Sequence, residues 1–377
     1  MSIRKRKWTT RLGEVKEAWV VDYTDQHGER HIKTFARKKE ADDYRTTVKV
    51  DVKAGTHIAP SKSVTVAEAA GEWIARGEGE GLERTTLDGY REHVRLYIVP
   101  QLGKAKLASL TSPKVEAFRD YLLSNTRSRA RARHVWSSFK AVLRHAKCAH
   151  VTDGVSILIR KRENGIIRED KDYPTPKEIG RLIDAATTPR WKALLLTAAL
   201  TGLRASELRG LCWADVKLDK GELDVCQRAD RYGTIGPPKS KTSARTVPLA
   251  PEVVSALKVW KLACPKGDLG LVFPTRTGRA ERHTNLLRSL DRIMIAAHVV
   301  DKDNKPKYAM HAFRHFFASW CINRKADGGR ELPAKLVQTY LGHSTVGMTL
   351  NVYGHLFPRG DEQAELAQAS AALLARR

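Results

Sequence analysis

The chain has 377 residues, 42% of them hydrophobic, so it can bury two or three cores and is not a disordered polymer. Lysine and arginine outnumber aspartate and glutamate by 67 to 42, and the net charge of +25 predicts a nucleic-acid partner. No apolar run is long enough to span a bilayer, and the basic start MSIRKRKWTT lacks a signal-peptide core. The 5 cysteines are scattered without a C-x-x-C pair, which argues against disulfides and structural zinc and indicates a cytoplasmic protein.

The first segment, residues 1–56, is predicted to be a small sheet that carries one helix. Alternating residues over 19–23 indicate a strand, and a turn over 25–28 leads to a second strand over 31–35. A helix is expected over 38–53, and a linker follows. The basic residues that open this segment, and that we expect to contact DNA, are Arg4, Lys5, Arg6 and Lys7.

Residues 64–168 are predicted to form a helical bundle. Helices are expected over 66–74 and 85–98, the second ended by Pro100. Another helix opens at Ser112, which we interpret as its cap because a proline follows in the first turn. The predicted buried stripe of that helix consists of Val115, Phe118 and Leu122.

The end of this segment is strongly basic. Residues 127–168 hold 11 lysines and arginines against 2 acidic residues, a local charge of +9. Solvated faces usually mix their signs, so this stretch is predicted to contact phosphates. The candidate DNA-binding residues are Arg127, Arg129, Arg131, Arg133, Arg160, Lys161 and Arg162.

A further domain is predicted from residue 173 onward. Thr175 and Glu178 have the spacing of a capping box at a helix start. A helix over 191–201 should end at Gly202, which leaves Arg204 beside a helix terminus. Strands over 222–228 and 245–249 are expected to form a hairpin. The remaining helices are expected over 251–262, 285–298, 311–323 and, in the tail, 362–375.

The last fifth of the chain contains two short motifs, HAFRH and YLGHS, followed by a tyrosine. His311 and Arg314 are three residues apart, so on a helix both can reach one anion. Gly342 is expected to end a helix, His343 follows at the turn, and Tyr353 comes ten residues later. Taken singly, each residue also has an ordinary structural explanation, such as a helix cap or a core ring.

Together with TGLRASELRGL at 201–211, these motifs resemble the tyrosine recombinase (phage integrase) family, whose signature places them in this order. The resemblance implies a multidomain fold, mainly α with small β-sheets. Its parts would be an N-terminal arm-type DNA-binding module (1–56), a helical core-binding, SAM-like DNA-binding domain (64–168) and a mixed α+β tyrosine recombinase catalytic domain (173–377). For residues 1–56, a basic tail on a small scaffold remains the alternative.

The resemblance also implies a role for each candidate site residue. Arg204 and Arg314 would grip a phosphate, a task for which the planar guanidinium is suited, and His343 would donate a further hydrogen bond. Tyr353 would be the nucleophile, and His311 would accept or orient its proton.

A lysine and a supporting glutamate complete the implied set. The leaving 5′ oxygen needs a proton, which the family takes from a lysine on a β-hairpin. Lys239 fits the family spacing better, and Lys241 remains the alternative. Glu207 would orient Arg204. No metal or nucleotide cofactor is expected, since the sequence has neither a phosphate-binding G-x-x-x-x-G-K-[ST] loop nor an acidic cluster of the two-metal kind.

The implied activity is site-specific recombination through a 3′-phosphotyrosine intermediate, which integrates or excises a phage or other mobile element. The implied partner is double-stranded DNA at attachment sites, bound by a homotetramer, and accessory DNA-bending or directionality proteins would be compatible with this scheme. The alternatives are a catalytically silent DNA-binding regulator and a relaxing enzyme similar to type IB topoisomerases. The apolar tail helix is expected to dock on a neighbouring protomer or on its own domain.

Overall fold

The computed structural model describes residues 1–10, 14–26, 28–54, 63–158, 172–238, 241–357 and 362–375. Two structural units are present, Met1–Arg160 and Lys161–Arg377. Both are mainly helical with small antiparallel sheets, as predicted. Within the described ranges, no helix has both the length and the apolar character that a membrane crossing requires.

The first unit begins with a three-stranded antiparallel sheet in the order β1-β2-β3. Its elements are β1 (Ser2–Thr9), β2 (Val15–Thr24), β3 (Arg30–Phe35) and the helix α1 (Lys38–Ala54). The predicted sheet with one helix is therefore confirmed, and β1 is an addition. The basic run that forms β1 is almost fully exposed, so no alternation of apolar residues marks it as a strand.

A helical bundle follows in the same unit. Its helices are α2 (Val66–Gly79), α3 (Arg84–His93), α4 (Val99–Leu102), α5 (Ser112–Asn125) and α6 (Arg129–His145). The predicted stripe of α5 is buried, and its Phe118 ring packs edge-on against Phe139 of α6 at 4.9 Å between ring centroids. Burial of these aromatic rings contributes to the apolar packing between the two helices.

Two predictions for this bundle are wrong. Pro100 does not end the preceding helix, because a π-helical turn over Val94–Ile98 leads into α4 and places the proline in the first turn of α4. A proline is tolerated there, since the first-turn N–H has no acceptor within the helix. The residue before α5 is Thr111, and Ser112 is already the first helical residue.

The second unit contains nine helices within its described residues. They are α7 (Pro176–Ala185), α8 (Pro189–Thr201), α9 (Ala205–Gly210), α10 (Pro251–Ala263), α11 (His283–Ala296), α12 (Met310–Ile322), α13 (Ala334–Leu341), α14 (Val346–Tyr353) and α15 (Glu362–Leu374). The predicted capping box of Thr175 and Glu178 is present at the start of α7. On α15, the side chains of Leu366, Leu373 and Leu374 are exposed in the isolated chain.

The strands of the second unit form two small sheets. An antiparallel sheet has the order β4-β5-β8, and β6 pairs with β7. The strands are β4 (Val216–Lys217), β5 (Glu222–Val225), β6 (Arg228–Ala229), β7 (Ile235–Gly236) and β8 (Arg245–Pro248). The predicted hairpin is therefore present as the β5–β8 pairing, with the β6–β7 hairpin inserted between its strands.

The helix α8 lies at the centre of the second unit and packs against α7, α10 and α12. A smaller apolar cluster joins α12, α13 and α14 and includes Phe317, Leu341 and Tyr353. The C-terminal ends of α8 and α13 both carry a glycine in the left-handed conformation, Gly202 with φ 63° and Gly342 with φ 62°. These two turns bring the candidate site residues together.

Gly202 is the residue at which we expect the largest backbone effect on stability. A Cβ atom at this position would lie 2.3 Å from Cδ1 of Phe317, and the positive φ disfavours any side chain. We expect Gly202→Ala to lower the free energy of unfolding by about 3 kcal/mol, because strain of about 1 kcal/mol adds to overpacking of about 2 kcal/mol. Urea denaturation measures this loss.

Gly328→Ala is the matched control. Gly328 also has a positive φ, 79°, but a Cβ there would meet nothing within 4 Å. This variant should lose only the strain, about 1 kcal/mol. Equal losses in the two variants would contradict the packing role of Gly202.

Candidate functional site

Arg204 occupies the turn between α8 and α9. The left-handed Gly202 ends α8, and Arg204 then adopts an extended conformation as the residue before α9. Its Nη1 donates to Oε1 of Glu207 at 2.6 Å, and its backbone N–H donates to Oε2 at 2.9 Å. The side chain of Arg204 is 32% exposed, so part of its guanidinium remains available to a ligand.

Glu207 is buried, and a second arginine shares its carboxylate. Arg245, at the start of β8, donates from Nη2 to Oε2 at 2.9 Å and from Nη1 to Oε1 at 3.2 Å. Burial alone would raise the pKa of Glu207, but the hydrogen bonds and charge of Arg245 and the charge of Arg204 outweigh it, so the pKa is lowered. The carboxylate is therefore ionised at neutral pH.

Arg245 is a site residue that the sequence patterns did not predict. A signal was present, because Arg245 shares a face of β8 with the buried Val247, where a charged residue is unusual. The Nε of Arg245 also donates to the carbonyl oxygen of Tyr340 at 2.6 Å. This bond ties β8 to the last turn of α13.

Arg314 lies on α12 and is 2% exposed. Its Nη1 donates to the carbonyl oxygen of Gly202 at 2.8 Å, and its Nη2 donates to that of Leu341. Arg204 makes the equivalent contact with the carbonyl oxygen of Gly342 at 3.1 Å. Burial, and then the charge of Arg204, lower the pKa of Arg314 to about 9, so it stays charged at neutral pH.

His343 follows the left-handed Gly342, and its Nδ1 is hydrogen-bonded to Oγ1 of Thr349 at 2.9 Å. Burial and then the charges of Arg314 and Arg204 lower the pKa of His343 to about 4. The imidazole is therefore neutral at neutral pH. With Thr349 bonded to Nδ1, the other ring nitrogen, Nε2, can serve as a hydrogen-bond donor.

Tyr353 ends α14 and is 2% exposed. Its hydroxyl oxygen lies 2.7 Å from Nδ1 of His315. Burial raises the pKa of Tyr353 to about 12, even though the charge of Arg314 acts to lower it. The phenol is therefore protonated at neutral pH in the isolated chain.

The proton of Tyr353 was expected to be accepted or oriented by His311, and here the structure differs. His315, one helical turn further along α12, is the residue at the hydroxyl. His311 is exposed, and its ring is nearly perpendicular to that of His315, with 4.7 Å between the ring centroids. The position of Tyr353 at the end of α14 decides which turn of α12 it meets, and sequence spacing does not reveal this.

A hollow of about 380 Å³ opens beside Arg204. Its described lining consists of Arg204, Ser206, Glu207, Arg228, Ser243, Gly342, Ser344 and Met348. Two arginines and three serine hydroxyls make this lining suitable for a phosphate group. Lys239 lies outside the described residues, and its alternative, Lys241, begins the short helical turn Lys241–Ser243.

The candidate DNA-binding residues of the first unit have mixed surroundings. Arg4, Lys5, Arg6 and Lys7 are exposed along β1. Lys5 and Lys7 of β1 both form ion pairs with Glu17 of the neighbouring strand β2. Exposed ion pairs are weak, so DNA phosphates could replace Glu17 as the partner of these lysines.

The basic residues at α6 differ among themselves. Arg127, Arg129 and Arg133 make no ion pair among those found in the described residues, whereas Arg131 pairs with Glu92 at 2.7 Å. Arg127 and Arg129 are exposed, and Arg133 is half-buried. Arg160, Lys161 and Arg162 lie outside the described residues.

One group of side chains in the described part of the chain has a composition typical of metal sites. It consists of Asp25 and Glu29, in the turn between β2 and β3, and of His31 on β3. The carboxylate of Asp25 is hydrogen-bonded to Nε2 of His31 at 2.7 Å and also accepts from the backbone N–H of Glu29. The three residues are therefore held together by hydrogen bonds that stabilise the turn, and no metal ion is needed to explain why they lie close together.

Comparison with known proteins gives consistent likenesses. The model of the phage integrase family matches residues 173–359. A tyrosine recombinase XerC-like protein of Caldanaerobacter subterraneus subsp. tengcongensis is 26% identical, over 94% of this chain and 96% of the relative.

Two solved structures show the same fold. The Tn1549 transposon integrase in complex with transposon right end DNA gives a TM-score of 0.62 at 20% identity, over 82% of this chain and 99% of that chain. A lambda integrase tetramer bound to a Holliday junction gives a TM-score of 0.56 at 16% identity, over 90% of this chain and 95% of that chain.

Glu207→Gln tests the electrostatic centre of the site. Removal of the charge leaves Arg204 and Arg245 without their shared anion, so we expect the free energy of unfolding at neutral pH to fall by about 3 kcal/mol. Because the folded-state pKa of Glu207 is lowered, its stabilisation is present above the unfolded pKa and is lost as the pH falls through the folded pKa. The variant should therefore lose less stability in acid than the wild type.

Urea denaturation at neutral pH and in acid measures both effects. Glu252→Gln is the control, since Glu252 is exposed on α10 and its replacement should lower the free energy of unfolding by no more than about 1 kcal/mol. If Glu207→Gln matched the wild type at both pH values, the shared carboxylate would not stabilise the site.

Proposed function

Since this chain belongs to the phage integrase family of tyrosine recombinases, we propose that it breaks and rejoins DNA through a 3′-phosphotyrosine intermediate on Tyr353. The observation that carries the proposal is the anchoring of Arg204 and Arg314 to the carbonyl ends of α8 and α13, beside His343. These groups bring positive charge and hydrogen-bond donors to one place. Phosphoryl transfer requires such an arrangement around the non-bridging oxygens.

Each arginine has a separate task in this proposal. Arg314 uses two donors for carbonyl oxygens, and its remaining N–H groups can bind one phosphate oxygen. Arg204, which is partly exposed and held by Glu207, binds a second oxygen and guides the phosphate into place. His343, neutral and able to donate from Nε2, contacts the same phosphate.

The reaction follows from these positions. The oxygen of Tyr353 attacks the phosphorus, the bond to the 5′ oxygen breaks, and the leaving oxygen takes a proton from Lys239, with Lys241 as the alternative donor. The phosphotyrosine ester conserves the energy of the broken bond. Rejoining therefore needs only the reverse attack by a 5′ hydroxyl, and neither ATP nor a metal ion is required.

We further propose that the substrate is a mobile element with its attachment sites, bound by four protomers. Support comes from the likeness to the Tn1549 transposon integrase on transposon end DNA and to the lambda integrase tetramer on a Holliday junction. Residues 1–56 would bind accessory sites and residues 64–168 the core site, through their basic residues. A silent regulator would form no covalent adduct with DNA, and a relaxing enzyme would form the adduct but would not exchange strands between paired sites.

Tyr353→Phe should abolish covalent capture of DNA and leave binding almost unchanged, because only the nucleophilic oxygen is lost. The measurement is the denaturation-resistant adduct formed on a nicked core-site duplex, with EDTA present and ATP absent. Tyr340→Phe is the matched control, since Tyr340 is on α13 and contributes only its backbone carbonyl to the site. Adduct formation by Tyr353→Phe would disprove the nucleophile, and a strict need for magnesium would disprove the metal-free chemistry.

Deletion of residues 1–56 should spare adduct formation at a core site and weaken binding to separate accessory sites. The reason is that the proposed catalytic residues all lie beyond residue 200. Gel-shift titration with each kind of site, beside the adduct assay, separates the two effects. If a folded truncation lost cleavage at a simple core site, the assignment of the N-terminal sheet to accessory DNA would be wrong.

A further inference from the structure

We propose that His315 is the group that accepts the proton of Tyr353 during cleavage, a role that the family signature in this sequence assigned to His311. The inference rests on the proposed nucleophilic role of Tyr353. It names a further catalytic residue, since His315 touches the reacting oxygen directly, with Nδ1 at 2.7 Å.

The geometry fixes the two side chains against each other. Their ring centroids are 5.8 Å apart with an interplanar angle of 56°, so the hydroxyl reaches Nδ1 at the edge of the imidazole. One turn further along α12, the hydroxyl of Ser319 is bonded to the Tyr173 hydroxyl at 3.0 Å. This buried bond holds the face of α12 that carries His315, so the contact does not depend on a mobile surface side chain.

Electrostatics make an acceptor necessary and make His315 suitable. Tyr353 cannot ionise unaided, because burial raises its pKa to about 12. Burial, and then the charges of His311 and Arg314, lower the pKa of His315 to about 4, with Asp172 acting in the opposite direction. His315 is therefore neutral at neutral pH, and in the tautomer with the proton on Nε2 its Nδ1 lone pair faces the hydroxyl.

The proton moves as the new bond forms. When the oxygen of Tyr353 bonds to phosphorus, its O–H becomes strongly acidic, and the proton passes to Nδ1 of His315 to give an imidazolium. The bond from phosphorus to the 5′ oxygen breaks, and that oxygen receives a proton from the general acid. In rejoining, His315 returns its proton to Tyr353. The incoming phosphate, held by Arg314, offsets the positive charge that otherwise disfavours the imidazolium.

His311 is less suited to this step. It is exposed, and among the contacts described for the Tyr353 hydroxyl the hydrogen-bond partner is His315. The ring of His311 is nearly perpendicular to that of His315, and His311 lies on the side of α12 that also carries Arg314. From that position His311 is suited to contact the phosphate.

The experiment uses the full chain and core-site DNA in which sulfur replaces the bridging 5′ oxygen at the cleaved phosphate. The sulfur leaves without a proton, so a defect in the general acid is rescued and a defect in nucleophile activation is not. The core site is first identified by covalent capture, with the wild-type chain, of fragments tiled across the DNA that flanks its gene.

We expect His315→Ala and His315→Asn to slow adduct formation by about a hundredfold or more on both the oxygen and the sulfur DNA, because proton acceptance is lost in each. Lys239→Ala should be slow on oxygen DNA and rescued on sulfur DNA. His283→Asn is the matched control, since His283 is also a half-buried histidine of the second unit, and it should keep the wild-type rate. If thermal melting shows that His315→Ala is unfolded, the rates of His315→Asn alone decide the result.

Two results would overturn the inference. If both His315 variants formed the adduct at the wild-type rate, His315 would not be the group that accepts the proton of Tyr353. Full activity of His315→Asn would show that a hydrogen-bond acceptor without basicity is enough, so that His315 only orients the hydroxyl. A wild-type chain that forms no adduct on any fragment would instead overturn the proposed function, so the two failures are distinguishable.

Discussion

The buried carboxylate of Glu207 is the interaction on which the site depends. Two guanidinium groups, from Arg204 and Arg245, meet at this one anion, and neither could be held so close to the other without it. Repulsion between unscreened like charges in a poorly hydrated interior costs several kcal/mol, whereas a shared, fully hydrogen-bonded carboxylate offsets it. Because Arg245 also reaches the carbonyl of Tyr340, the same anion connects α9, β8 and α13.

The helix ends around this anion provide the second constraint. The terminal carbonyl groups of a helix lack hydrogen-bond donors within the helix. Here the carbonyl oxygens of Gly202 and Leu341 accept from Arg314, and that of Gly342 accepts from Arg204. The negative end of each helix dipole therefore faces an arginine and favours its charge. A glycine is required at both turns, since a Cβ on Gly342 would lie 2.9 Å from Nη1 of Arg245.

Sequence patterns predicted the parts of the structure that depend on local chemistry. The capping box at Thr175, the end of α8 at Gly202 and the strand pairing of β5 with β8 follow from neighbouring residues. Features set by tertiary contacts were missed. Arg245 becomes a site residue only because β8 packs against α13. His315, and not His311, contacts Tyr353 because the end of α14 lies against the second of these two turns of α12.

The burial of Tyr353 has a consequence for how such a protein behaves on a chromosome. With a charge of +25 it will spend most of its time on DNA of arbitrary sequence, held by phosphates alone. A phenol that is 2% exposed and hydrogen-bonded inside the protein is out of reach of those phosphates. In the proposed function, scanning along the duplex is thereby separated from strand breakage, because cleavage would require a correct site to bring its phosphate to the buried phenol.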